Sequence, residues 1–473
     1  MKQRLPFTNV LVVVPGIMGS SLLDQDGREI WGTRPAPLAR RLVTLARGIR
    51  RLRLPDGIGD NHPGDGVKPE ALVPDLHVIP GLWTINIGYE RLLRHLRATY
   101  DLVQPDSTGR PANFLPFAYD WRLSNRYNAR QLKQTVEPVL ERWRAAGHRD
   151  AKLVLLCHSM GGLIARWYLD CEDGAALTKT LITIATPHRG AAKAIGQLVN
   201  GVRPSLGPIA QRLTTVARSL PSIHQLLPAY RCIDRGGALC PIIDEPLPNL
   251  SNAMIADGLR FHEQLDEAHV GTTRYRSHPI VGINQPTFAT VRLDNGGAVL
   301  LRTIDGDDEK GDGTVPRFAA RPTAVAGTSP SLHYITDTHT ALPANQAVID
   351  QIDGILTATD VERRAPAVAL GISIDDVTIT GTPVDVAAEA SDSSVLAEAR
   401  LVRTGHTISS LRMRTDGDGM YRASFADIAP GGYVIAVGRL HPSGRLVDTV
   451  AGATLVIDPS TLNDATTGSD RRD

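Results

Sequence analysis

Ser159 closes an apolar run, Leu153-Val154-Leu155-Leu156-Cys157-His158, and is followed by Met160-Gly161-Gly162 and then by apolar residues at the helical spacing Leu163, Ile164, Trp167, Tyr168. A buried strand that turns sharply into a helix, with a serine at the turn, lifts a hydroxyl clear of the backbone where it can attack a carbonyl carbon. Small residues are needed two before and two after such a serine, because strand and helix nearly touch there. Cys157 and Gly161 meet that need, with cysteine standing where the Gly-x-Ser-x-Gly pattern has its first glycine. A serine hydroxyl is a weak nucleophile at neutral pH, so a base, and an acid to orient that base, must come from elsewhere in the chain.

Asp312 lies between two glycines in Gly311-Asp312-Gly313-Thr314-Val315-Pro316, at the end of an acidic stretch that begins at Asp305. The stretch lacks the distal glutamate of an EF-hand, so it reads as a surface turn carrying one functional acid rather than as a calcium site. Asp312 is the first candidate and Asp307 the second. His339 sits in Asp337-Thr338-His339-Thr340-Ala341, just ahead of a helix expected over 346–356. The chain order Ser159, Asp312, His339 is that of the α/β-hydrolases and differs from the chymotrypsin and subtilisin orders. His188, in Thr186-Pro187-His188-Arg189-Gly190, precedes the acid and is the second choice for the base. The loop Pro15-Gly16-Ile17-Met18-Gly19-Ser20 follows a first strand, Val10 to Val14, and is placed to offer a backbone N–H to an oxyanion. Asp120, Trp121 and Arg122 could touch substrate, although a buried ion pair beside a tryptophan is the commoner arrangement.

The elements that would hold these residues form an α/β fold, an α/β-hydrolase domain over 1–357, with strands at Val10 to Val14, Asn113 to Ala118, Leu153 to His158, Leu181 to Ala185, Ile280 to Ile283 and Ala298 to Leu301. A helical, proline-broken insertion over about 191–278 reads as a cap. Leu38, Leu42, Leu45, Ile49 and Leu52 form one helical face with arginines turned away. The helix over 38–52 is expected either to pack on its own domain or to make a peripheral membrane contact. A polar linker over 358–367 leads to short strands over 368–459 that predict an immunoglobulin-like or transthyretin-like β-sandwich, a candidate surface for a protein partner, and 460–473 reads as a disordered tail.

A chain of 473 residues accommodates these two domains, and a net charge of +1 supplies no field for nucleic acid. No apolar run is long enough for a membrane span, and the short run after Pro6 meets Pro15-Gly16 rather than a cleavage site, so a cytoplasmic location is expected. Cys157, Cys171, Cys232 and Cys240 have no metal-ligand spacing, and in that location Cys232 and Cys240 are expected as thiols. The motifs call for no metal and no cofactor.

Taken together, Pro15-Gly16-Ile17-Met18-Gly19-Ser20, Tyr119-Asp120-Trp121-Arg122, Cys157-His158-Ser159-Met160-Gly161, Thr186-Pro187-His188-Arg189-Gly190 and Gly311-Asp312-Gly313-Thr314-Val315-Pro316 resemble the lecithin:cholesterol acyltransferase family, which includes lysosomal phospholipase A2 and the phospholipid:diacylglycerol acyltransferases. The resemblance runs from about Val10 to Leu356 and implies an enzyme that moves an acyl chain from a lipid ester onto serine and then to water or an alcohol. It puts the nucleophile on Ser159, the acid on Asp312, the base on His339, and the oxyanion N–H groups on Ile17 and Met160. The chain departs from the animal pattern in its carboxyl-terminal strands, and neither a secretion signal nor a lid disulfide is expected from its motifs. Two other functions compete with a lipid acyl hydrolase or acyltransferase: a soluble carboxylesterase on small esters, and a non-enzymatic binding protein on a hydrolase scaffold.

Overall fold

The computed structural model describes residues 4–32, 51–73, 89–201, 208–269, 274–357 and 370–458, apart from 107, 295, 326, 328, 330, 392–394, 418 and 442–443. Among the described residues six parallel strands form the central sheet, in the spatial order His333–Thr336, Arg276–Ile283, Thr178–Ile184, Leu153–His158, Val10–Val14, Phe114–Pro116. Strands Val10–Val14 and Leu153–His158 are buried along their whole length, as central strands covered on both faces must be. Their alternating side chains divide between two cores. Val10, Val12, Val14, Leu153, Leu155 and Cys157 face the helices Asn125–Ala145 and Met160–Cys171, whereas Leu11, Val13, Val154 and Leu156 face Glu90–Thr99 and Gln346–Thr357. The result is the three-layered α/β-hydrolase architecture. Val14 pairs with Cys157, so the loops leaving these adjacent strands at their carboxyl ends, Pro15 to Gly19 and Ser159, start side by side.

Three regions differ from the pattern read in the sequence. Ala298 to Leu301 does not join the central sheet: Gly297–Leu301 pairs with Thr290–Asp294, which with Ile233–Asp234 and Leu239–Cys240 makes a separate four-stranded sheet. The insertion is therefore only partly helical, its helices Ala192–Asn200, Pro208–Ser219 and Asn252–His269 flanking two short strands. Cys232 and Cys240 are free thiols in it. The carboxyl-terminal strands do form two sheets, of four and five strands, around one apolar core. Its longest strand, Leu446–Ile457, was not expected, because Ala451-Gly452-Ala453-Thr454 blurs its alternation. That strand serves both parts of the molecule: Val450 and Val456 lie in the sandwich core, while Leu455 and Ile457 lie in the hydrolase core. The linker expected at 358–367, the tail expected at 460–473 and all but the last two residues of the helix expected at 38–52 fall outside the described residues.

Candidate active site

The turn at Ser159 is built by close backbone contact. A Cβ at Gly161 would lie 2.4 Å from the Pro15 carbonyl oxygen and 2.7 Å from that of Val14, and one at Gly162 would lie 2.1 Å from Thr186 Oγ1. Glycine is therefore the only residue that lets the helix start beneath the first strand. Ser159 takes φ 51° and ψ −126°, a strained conformation for a residue with a Cβ, while its N–H is held by the Ile184 carbonyl at 2.8 Å. The same glycine-dependent approach brings the first loop in: a Cβ at Gly16 would be 3.0 Å from Ser159 Cβ.

The side chains of Ser159, His339 and Asp312 come together from three separate loops. His339 Nε2 is 2.8 Å from Ser159 Oγ, and His339 Nδ1 is 2.8 Å from Asp312 Oδ2. Asp312 Oδ1 accepts from the N–H groups of Thr314 and Val315, at 2.9 and 2.7 Å, which fixes the carboxylate plane. Gly282 makes room for it, since a Cβ there would lie 2.5 Å from Asp312 Cβ. All three side chains are buried. Such a line of hydrogen bonds can pass a proton from serine to histidine while the carboxylate keeps the ring oriented. Asp307, the second candidate acid, is exposed, and its backbone pairs with Ile304. His188, the second candidate base, is buried with Nε2 3.3 Å from Thr183 Oγ1; burial, with Arg166 beside it, holds its pKa well below the usual value.

Around this line runs a hydrogen-bond chain with no signal in the sequence beyond the place of His158. The Gly16 N–H donates to Tyr89 Oη at 2.8 Å, Tyr89 Oη lies 2.8 Å from His158 Nδ1, and His158 Nε2 lies 3.0 Å from the His339 carbonyl oxygen. A carbonyl only accepts, so the proton of His158 is on Nε2, and Tyr89 donates to Nδ1. Burial, followed by the neighbouring His339, lowers the His158 pKa to about 3, which keeps this neutral tautomer. One path thus joins the first loop, the elbow and the backbone of His339. Tyr89 comes from a distant helix start, so only the folded chain reveals it.

Asp120, Trp121 and Arg122 support the first loop from behind. Arg122 is fully buried, its Nη2 2.7 Å from Asp120 Oδ2 and its Nη1 2.8 Å from Asp65 Oδ2. Trp121 Nε1 donates to the Ser20 carbonyl at 3.2 Å, and Tyr119 takes the Pro15 carbonyl at 2.9 Å through its hydroxyl. The paired, fully satisfied carboxylate and guanidinium are the arrangement a buried ion pair needs. Ile17 and Met160, the residues expected to offer N–H groups, are buried on the two chain segments that flank Ser159.

Residues 108–240 match the family model described as lecithin:cholesterol acyltransferase. The fold is that of an α/β-hydrolase, and over this segment the chain is similar to that family. The matched segment holds the Tyr119 to Arg122 motif, the elbow and the Thr186 to Gly190 motif; the first loop, Asp312 and His339 lie outside it. An uncharacterised protein of Saccharomyces cerevisiae is 25% identical over 180 residues, 38% of this chain and 23% of the yeast protein. The chain thus spans about a quarter of the length of that relative. Among solved structures, the Bacillus licheniformis lipase BlEst2 in its propeptide form is similar over 96% of this chain and 74% of its own, at 12% identity and a TM-score of 0.37. Phospholipase PlaB from Legionella pneumophila, in complex with thio-NAD, is similar over 95% of this chain and 90% of its own, at 12% identity and a TM-score of 0.30.

Proposed function

We propose that this chain is a serine-dependent lipid acyl hydrolase or O-acyltransferase that works through an acyl-enzyme on Ser159. The observation that carries this reading is the unbroken line from Ser159 Oγ through His339 to Asp312, each link 2.8 Å long. In it, His339 takes the Ser159 proton as Oγ attacks the ester carbonyl and returns it to the leaving alcohol, and Asp312 holds the ring and its positive charge. The N–H groups of Ile17 and Met160 stabilise the oxyanion, each contributing about 3 kcal/mol to the transition state. Water or a lipid hydroxyl then takes the acyl group. The lipid class of the donor is supported by the family match over residues 108–240, and a lipid-facing role for residues 38–52 is supported by their basic amphipathic spacing.

Offering wild type and Ser159→Ala short-chain esters and phospholipid vesicles tests the reading. Acyl release from vesicles that is lost with Ser159→Ala is expected. Turnover of short esters alone would favour a soluble carboxylesterase, and no turnover of either would leave a binding protein on a hydrolase scaffold.

A further inference from the structure

The two loops that carry Asp312 and His339 are tied to strands far down the chain by buried polar groups. Gln285, fully buried, pairs its backbone with Gly311 in both directions, N–H to carbonyl at 2.9 Å and carbonyl to N–H at 3.1 Å. Its side-chain amide then continues into the sandwich, donating to the Leu370 carbonyl at 3.0 Å and accepting the Ile372 N–H at 2.9 Å. One residue thus bonds the acid loop through its main chain and strand Leu370–Ile374 through its side chain. The backbones are pressed together here: a Cβ at Gly371 would stand 2.6 Å from the Asn284 carbonyl oxygen.

The base loop is tied in the same manner to strand Leu446–Ile457. Asp337 Oδ1 accepts from the N–H of Thr338 at 2.8 Å and from that of Ala451 at 3.3 Å, and Oδ2 accepts from Asn345 Nδ2 at 2.8 Å. The Thr338 hydroxyl donates to the Ala451 carbonyl. Both backbone polar groups of Ala451 are therefore engaged by the two residues that precede His339. The two loops also join each other, His339 N–H donating to the Asp312 carbonyl at 2.7 Å. Apolar packing alone tolerates small slips, whereas a buried amide or carboxylate must keep its partners or lose their full desolvation cost. A device that fixes loop position to tenths of an ångström is what a proton relay requires.

We propose that the carboxyl-terminal β region is part of the active-site framework, with Gln285, Asp337 and Thr338 as positioning residues that set the Asp312 and His339 loops against strands Leu370–Ile374 and Leu446–Ile457. This rests on the serine-hydrolase reading above and goes beyond it, because it gives the sandwich a task in the reaction rather than one in partner binding.

The test compares wild type, Thr338→Val, Thr338→Ser and Gln285→Leu in the full chain. It measures the rate of labelling by a fluorophosphonate probe, kcat and KM on a short-chain nitrophenyl ester, and the thermal midpoint. Assayed well below their midpoints, which the lost buried hydrogen bonds lower, Thr338→Val and Gln285→Leu are expected to reduce the labelling rate and kcat about ten-fold or more with KM little changed. Thr338→Ser, which keeps the hydroxyl, is expected to restore both rates. Wild-type rates in Thr338→Val and Gln285→Leu would overturn the proposal. So would a rate loss that only follows a lowered midpoint and is not repaired by serine. A wild type that turns over no ester and is not labelled at Ser159 would sink the enzymatic reading itself, and the proposal with it, which separates that failure from the first two.

Discussion

The elbow and the base loop stand 2.8 Å apart at Ser159 Oγ and His339 Nε2, yet they are made in opposite ways. The elbow is fixed by its own neighbours: Gly161 against Val14 and Pro15, Gly162 against Thr186, and the Ser159 N–H on Ile184. The base loop is held by polar partners, from Asn345 within it and from Ala451, Asp312 and His158 outside it. One is positioned by steric necessity, the other by buried polar partners. Their titratable groups follow suit. His158 in the elbow is kept neutral by burial, with a pKa lowered to about 3, while burial raises Asp337 in the base loop to about 6.

The contrast is broken most strongly at the acid. Asp312→Asn keeps the shape but replaces one acceptor of the His339–Asp312 pair with a donor, and kcat on any ester is expected to fall about 10⁴-fold with an unchanged fold, measured by steady-state kinetics. A loss under ten-fold would mean that His339 is oriented by something else.

A steric break comes next. Gly161→Ala must push the helix from the first strand, because the new methyl would meet two backbone oxygens, and a net destabilisation of about 2 kcal/mol is expected after the gain in helix propensity. Urea unfolding measures it. Wild-type stability would show that the elbow is not sterically fixed.

The elbow was legible because its requirements are local and compositional: a buried run, small residues at set positions, and a helical spacing after Ser159. The acid and base were legible only as chain order, since Gly311-Asp312-Gly313 and Asp337-Thr338-His339 carry no periodic signal of their own. What holds them was not legible. Gln285 and Leu370 are 85 residues apart, and Asp337 and Ala451 are 114 apart; no local pattern encodes such pairings. The same holds for Tyr89, 69 residues from the His158 it touches. Ala298 to Leu301 was misplaced in the central sheet because a short apolar run looks alike in any sheet.

A further expected effect, of the same order as the steric one, separates the two regions by pH. Asp337 binds its proton more tightly folded than unfolded, so its contribution to stability is full below about pH 4 and is lost as pH rises through about 6. Relative to wild type, Asp337→Asn should therefore gain roughly 2–3 kcal/mol between pH 4 and 7, read from denaturant midpoints across that range. His158 acts with the other sign: the unfolded state takes up the proton first, and stability is lost as pH falls from about 6.5 toward 3. A stability difference between wild type and Asp337→Asn that does not change with pH would remove this distinction.

The central claim is that Ser159 is an activated nucleophile, and covalent labelling reads it directly. Wild-type chain treated with a fluorophosphonate and digested should carry the adduct on the peptide containing Ser159, with no adduct in Ser159→Ala and slowed labelling in Asp312→Asn. An unlabelled wild type, or an adduct that persists at full rate in Ser159→Ala, would contradict it.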